Sequence, residues 1–281
     1  MIIIDSHTHI FPVEIRDKRE DFFDGEAAFK WLYSVPGSKL AGVEELVRNM
    51  DNKGVDKSVV FGFPWKTKDY FERNNDYILD VVEKYKDRLI GFSTFFPLAK
   101  GAVKELERCL DSGLSGVGEL AFYTSSISKD TIQAFEPIAE IARKFDVPIL
   151  LHTNEPVGHF YPGKTPMKLE EIYNFLNSFP ANKIILAHWG GGLFFYYLMK
   201  KAVKEVLKNT WFDTAASPHL YDKDIYSIST RIMGLDKILF GSDFPLLKPS
   251  RYFEEMKAAD LPKDAVEKIC GENAASLLKI D

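Results

Sequence analysis

The chain has 281 residues and a mass of 32.0 kDa, with 46% apolar, 14% aromatic and 27% charged residues, a composition that supports a large buried core and excludes disordered or collagen-like chains. Its 36 basic and 41 acidic residues leave a net charge of −5 and a pI near 5.8, which argues against a broad electrostatic hold on nucleic acid. The opening MIIIDSH has no positive n-region, and the charge-free run 184–199 is interrupted by His188 and three glycines, so neither a secretory signal nor a membrane span is expected and a cytoplasmic location is the default.

In chain order, the β-branched run 2–9 predicts a strand that closes on His7 and His9. Segment 10–42 is the longest connection; with Phe11, Phe22, Phe23, Phe29, Trp31 and Tyr33 it reads as a long aromatic loop serving as a lid, a pocket wall or rim packing. Strand 57–63 precedes an amphipathic helix at 70–85, strand 89–95 a helix at 102–110, and strand 116–120 a helix at 132–145. The same alternation pairs strand 148–152 with helix 167–179, strand 183–188 with helix 193–207, which takes in the aromatic tract LFFYYLM, and strand 210–214 with helix 224–232. Strand 237–241 completes a set of eight. Runs such as KIILAH and DKILFGSD are apolar throughout, as in parallel strands covered on both faces. No GxGxxG follows the first strand, which excludes a dinucleotide-binding turn. A spacing of about 34 residues per strand–helix unit predicts a single (β/α)8 TIM barrel spanning 1–281. Cys109 and Cys270 lie far apart in helical patterns outside any CxxC and read as reduced packing residues.

All six histidines fall at or just beyond the carboxyl ends of predicted strands: His7, His9, His152 and His188 at the ends themselves, His159 and His219 in the following loops. Barrel enzymes build their active sites on that face. A strand period of two points His7 and His9 to the same side. Imidazoles converging there with Asp243 would cost several kcal/mol if left unpaired, and a divalent metal supplies the partner: Zn2+ first, with Mn2+ or Fe2+ as alternatives. Asp5 points to the same side one layer deeper, either to orient a ligand or to accept backbone hydrogen bonds. Cationic and aromatic side chains on the same face, namely Arg16, Arg19, Lys66, Lys68, Lys164, Trp65, Phe160 and Tyr161, suit an anionic, ring-containing small molecule. Arg16, Arg19 and Lys66 are the candidates for its carboxylate, with His159 and His219 also on the substrate side. Neither nucleic acid nor a membrane is expected as partner, and a homodimer is the assembly considered.

IIDSHTHIFP, PILLHTNEP, IILAHWGGG, ILFGSDFPL and ICGENAASLL, in this order and across the whole chain, resemble the amidohydrolase superfamily, in its branch of metal-dependent hydrolases and non-oxidative decarboxylases. The resemblance implies that His7 and His9 bind metal, that His152 is a further ligand or faces substrate, that His188 polarises substrate or binds a second ion, and that Asp243 is ligand and proton shuttle. Glu119, in GVGEL, stands near where binuclear members carry a bridging carboxylate, often a carboxylated lysine, and is either a candidate ligand that could bridge two ions or a hydrogen-bonding residue behind a ligand. One or two ions are therefore open, with two expected. The reaction expected is hydrolysis of an amide, ester or lactone by metal-activated water with Asp243 as general base; the alternative is decarboxylation of a small carboxylic acid, with Asp243 or His188 protonating carbon.

Overall fold

The computed structural model describes residues 1–35 and 37–280. Eight parallel strands run in the order β1 (Ile4–His9), β2 (Lys57–Phe61), β3 (Leu89–Ser93), β4 (Gly116–Leu120), β5 (Ile149–Leu151), β6 (Ile184–Leu186), β7 (Thr210–Asp213) and β8 (Ile238–Leu239). Each strand pairs with its sequence neighbour. The ring is closed by β1 against β8: Ser6 N–H donates to Phe240 O at 2.8 Å and His9 N–H to Phe244 O at 2.8 Å. The TIM barrel is thus present, with every predicted strand in place, β4 at its expected bounds and the others trimmed.

Strand parity explains the closure. Val60, Ile149, Leu151, Ile184, Leu186, Ile238 and Phe240 pack among the helices, while Val59, Phe61, Leu150, Ile185, Ala187 and Leu239 pack on one another. A sheet whose alternate residues meet only each other has curled on itself. Asn273 plugs the amino-terminal end, its side-chain amide donating to Leu235 O at 2.7 Å and Ile238 O at 2.8 Å. Cys109 and Cys270 are buried and free.

Two segments differ from the expectation. Segment 10–42 is not an open loop: it holds short helices at Val13–Asp17, Arg19–Phe22 and Ala27–Tyr33, with Phe11, Phe22 and Phe29 buried. Its backbone groups take donors from Arg16, whose Nε donates to Phe11 O at 3.1 Å, and from Arg19, whose Nη1 donates to Ser38 O at 2.7 Å. A further helix, Val43–Lys53, buries Val43, Leu46 and Met50 on one face.

The helix expected at 193–207 is also replaced. His188, Trp189, Gly190, Gly191 and Gly192 all carry positive φ, and 3-10 turns to Leu198 follow before a short helix at Lys201–Val206. Leu193 and Phe194 are buried, whereas Phe195, Tyr196, Leu198 and Met199 face solvent. Three glycines tolerate the left-handed conformation that other residues avoid, so the chain turns sharply after β6 where apolar composition alone suggests a helix.

Gly191, at φ +61°, has no room for a side chain, since an added Cβ would lie 2.2 Å from Asn154 O. Gly191→Ala is therefore expected to destabilise the fold by about 2 kcal/mol or more, combining left-handed strain with a backbone clash. Urea unfolding monitored by circular dichroism reads this directly; an unchanged midpoint would mean that the turn relaxes freely.

Candidate active site and metal centre

β1 ends in His7 and His9, both buried, and the strand period aims both rings into the barrel mouth. Each ring is fixed from behind. His7 Nδ1 donates to Asp213 Oδ2 at 2.8 Å, and His9 Nδ1 donates to Gly62 O at 3.0 Å. The Nε2 atoms, left as lone-pair donors, face each other at 3.3 Å. Asp243 Oδ1 lies 3.7 Å from His7 Nε2 and 3.5 Å from His9 Nε2. Donors held about 2.1 Å from a common cation are separated by about 3.4 Å in tetrahedral geometry, so this triad can hold a divalent metal. Two lone pairs facing each other beside a carboxylate fit a cation and nothing neutral.

Glu119 flanks the same pair, with Oε2 3.7 Å from His7 Nε2 and 3.5 Å from His9 Nε2. It reaches the mouth because Gly118, at φ +129°, lets the chain pass where a Cβ would sit 2.3 Å from Leu150 O. Its other oxygen, Oε1, lies 2.9 Å from His152 Nδ1 and 3.6 Å from His188 Nε2. His7, Glu119 and His188 form a second possible donor triad. A single Nε2 lone pair cannot serve two ions, so the triads compete for His7.

His188 is set by the turn after β6: its Nδ1 donates to Ala215 O at 2.9 Å, and its main-chain N–H donates to Asp213 Oδ1 at 2.9 Å. His188 and Asp243 both adopt left-handed backbone, at φ 55° and 57°, a strain of about 1–3 kcal/mol each that recurs at functional sites. Burial pushes the His7 and His188 rings toward the neutral form, yet nearby carboxylates reverse this. Asp213 and Glu119 raise His7 to about 10, and Glu119 with Asp243 raises His188 to about 9. The pocket draws in positive charge. His9, whose burial outweighs its acidic neighbours, is lowered instead. Burial raises Asp5 to about 7 against the hydrogen bonds it accepts from Ser242 and His7; it braces the backbone that carries Asp243, Ser242 N–H donating to its Oδ1 at 2.8 Å.

The remaining predicted residues are placed differently. His152 offers no free nitrogen, because Nδ1 meets Glu119 and Nε2 meets Gly163 O at 3.0 Å. Arg16 and Arg19 each donate to a backbone carbonyl of segment 10–42, and Arg16 also meets Glu45. Trp65 is wholly buried, its indole N–H donating to Asn74 Oδ1 at 3.0 Å. Lys66 is exposed, with Nζ 3.4 Å from Thr124 Oγ1 and 5.1 Å from the Phe96 ring centre. Lys68 pairs with Glu72 at 3.3 Å on its own helix. Tyr161 O–H and Lys164 Nζ both engage Glu155, at 2.8 and 2.9 Å, which orders the loop after β5. His159 and His219 are exposed.

Two contributors were not anticipated. One is Asp213, the acid that ends the apolar run TWFD of β7. The other is Tyr123, whose ring stacks on Phe63 at 5.7 Å and 3° and approaches His152 at 5.0 Å. Burial raises the phenols of Tyr123 and Tyr33, and both also feel the charges of Glu119 and Asp243, so aromatic faces border the donor cluster. Above them, Trp31 stacks on Phe160 at 5.5 Å and 22°, joining segment 10–42 to the loop after β5.

The Amidohydrolase family model matches residues 4–280, and the chain belongs to that family. A gamma-resorcylate decarboxylase from Polaromonas sp. (strain JS666 / ATCC BAA-500) is 22% identical over 296 residues, covering 87% of this chain and 90% of that protein. The 5-carboxyvanillate decarboxylase of Sphingomonas paucimobilis superposes with a TM-score of 0.77 at 18% identity, covering 100% of this chain and 99% of the other. That of Novosphingobium aromaticivorans, solved with manganese and 4-hydroxy-3-methoxy-5-nitrobenzoic acid, gives 0.75 at 17% identity, covering 99% and 96%.

Competition for His7 leads to a metal-binding prediction. Calorimetric titration of the metal-free protein with Mn2+ is expected to give one site per chain. His9→Ala should weaken that site by more than about 100-fold, and Glu119→Gln by a smaller factor at unchanged stoichiometry. Two sites in the wild-type protein, falling to one in Glu119→Gln, would reinstate a bridging glutamate.

Proposed function

We propose that the chain is a metal-dependent carboxy-lyase that removes carbon dioxide from a hydroxylated aromatic carboxylate, in place of the hydrolysis expected from the sequence. The observation that carries this reading is that the two possible donor triads, His7, His9 and Asp243 and His7, Glu119 and His188, share His7, so that one ion at a time can be held. The decarboxylase names of the three relatives point the same way. Since His7 cannot serve two ions, the reading takes one. A divalent cation bound there would supply Lewis-acid attraction for the substrate's carboxylate and adjacent hydroxyl oxygens; manganese in the Novosphingobium structure favours Mn2+ over the Zn2+ expected first.

The chain's own residues then divide the work. Tyr123, stacked on Phe63 and 5.0 Å from the His152 ring, is the aromatic residue placed to meet a planar substrate ring. His188 Nε2, its ring fixed by Ala215 O, offers a hydrogen bond to the substrate carboxylate. Asp243, whose side chain keeps 16% of its surface open to the mouth, is placed to act as acid. Its carboxyl proton passes to the ring carbon bearing the carboxylate, the bond to that carboxylate breaks, its electron pair restores the aromatic ring, and carbon dioxide leaves. Solvent returns the proton to Asp243.

Protein loaded with Mn2+ and offered 2,6-dihydroxybenzoate, 5-carboxyvanillate and a lactone and amide panel is expected to release carbon dioxide from an ortho-hydroxylated acid. The methyl ester should remain untouched. Asp243→Asn should lower the rate by about 10²–10⁴. Lactone or amide turnover without carbon dioxide would restore the hydrolase reading.

A further inference from the structure

Asp213 lies outside every motif that marks the family in this sequence, yet it makes three hydrogen bonds at the heart of the site. It is completely buried. Oδ2 accepts from His7 Nδ1 at 2.8 Å, and Oδ1 accepts the main-chain N–H of His188 at 2.9 Å and of Ala215 at 3.0 Å. Ala215 in turn offers its carbonyl to His188 Nδ1 at 2.9 Å. One carboxylate at the end of β7 therefore touches β1 directly and the turn after β6 through its backbone.

We propose that Asp213 is the positioning residue of the site: it fixes the tautomer of His7 and, through Ala215, the ring orientation of His188, so that both present Nε2 to the reaction volume. The assignment rests on the reading of His7 as a metal ligand. Its two oxygens accept three N–H groups, and as a pure acceptor the carboxylate sets Nδ1 of His7 to carry hydrogen. The lone pair needed for a cation is then confined to Nε2. Carboxylate–imidazole pairs of this kind raise ligand basicity and hold ring orientation.

The amide of asparagine breaks this logic at nearly constant volume. If its oxygen keeps the two main-chain N–H groups, its NH2 faces His7 Nδ1 and can only donate. His7 must then protonate on Nε2, where the metal belongs. Turning the amide around restores the bond to His7 but sets the NH2 against two backbone donors.

The test is Mn2+ titration calorimetry on metal-free wild type and Asp213→Asn, with thermal unfolding of both metal-free proteins. A 10- to 100-fold rise in Kd is expected, with the melting temperature held within about 4 °C, the shift that roughly 1 kcal/mol gives in a large domain. Equal affinity in the two proteins would overturn the assignment while leaving the metal reading intact. Binding of neither Mn2+ nor Zn2+ by the wild type would remove the metal reading and the assignment with it. The Zn2+-loaded wild type gives a readout independent of the variant's folding. Nitrogen-15 imidazole spectra should show His7 metallated on Nε2, with a downfield, slowly exchanging Nδ1 proton; metallation on Nδ1 would overturn the assignment.

Discussion

Nε2 of His7 and Nε2 of His9 face each other across 3.3 Å, and both Nδ1 atoms donate elsewhere, so the neutral pair has no hydrogen between them. That contact is repulsive unless positive charge enters it, and the rest of the site supplies the field that draws such charge in. Glu119 and Asp243 approach the pair at 3.5–3.7 Å, and Asp213 stands behind His7 at 2.8 Å. Burial strengthens each of these attractions by lowering the local dielectric. The raised affinity of His7 for a proton, to about 10 against the opposing effect of burial, is the same attraction expressed without a metal. A divalent cation answers it with two charges and satisfies both lone pairs together.

The barrel makes this contact obligatory through its closure. Hydrogen bonds that join β1 to β8 run through the ligand-bearing residues themselves: Asp243 N–H donates to His7 O at 2.9 Å, and His9 N–H donates to Phe244 O at 2.8 Å. Asp5 adds a side-chain link by accepting from Ser242 N–H. A slip of one residue between these strands would reverse which side chains enter the mouth, so the pairing that closes the fold also sets the spacing of the donors. The left-handed backbone of His188 and Asp243 is held by the same contacts, since Asp213 and His7 receive the main-chain N–H of each.

The fold was legible because buried parallel strands leave a strong signal. Apolar runs such as KIILAH and DKILFGSD have no wet face, and eight of them recur at one spacing. His7, His9, His188 and Asp243 were legible because polar groups are costly at strand ends inside a barrel. Asp213 was not, being one of 41 acidic residues and important only through a partner on a distant strand. The structural part of Arg16 and Arg19 was not legible, because the carbonyls of segment 10–42 to which they donate come near only in the folded segment. The tract after Gly192 misled because composition carries no record of three consecutive left-handed glycines.

Glu119 shows how one residue reads differently in sequence and in space. Among four histidines, a carboxylate at the end of β4 suggests a bridge between two ions, and two ions suggest hydrolysis by a shared hydroxide. In the fold, Oε1 of Glu119 is already occupied by His152, whose other nitrogen is held by Gly163 O. A second ion would have to compete for the single lone pair of His7. Without it, Glu119 instead adds negative charge beside one cation and ties the end of β4 to the loop after β5. That loop carries Phe160, stacked on Trp31 of segment 10–42, so the carboxylate read as a metal bridge also holds the base of a loop that meets the segment after β1.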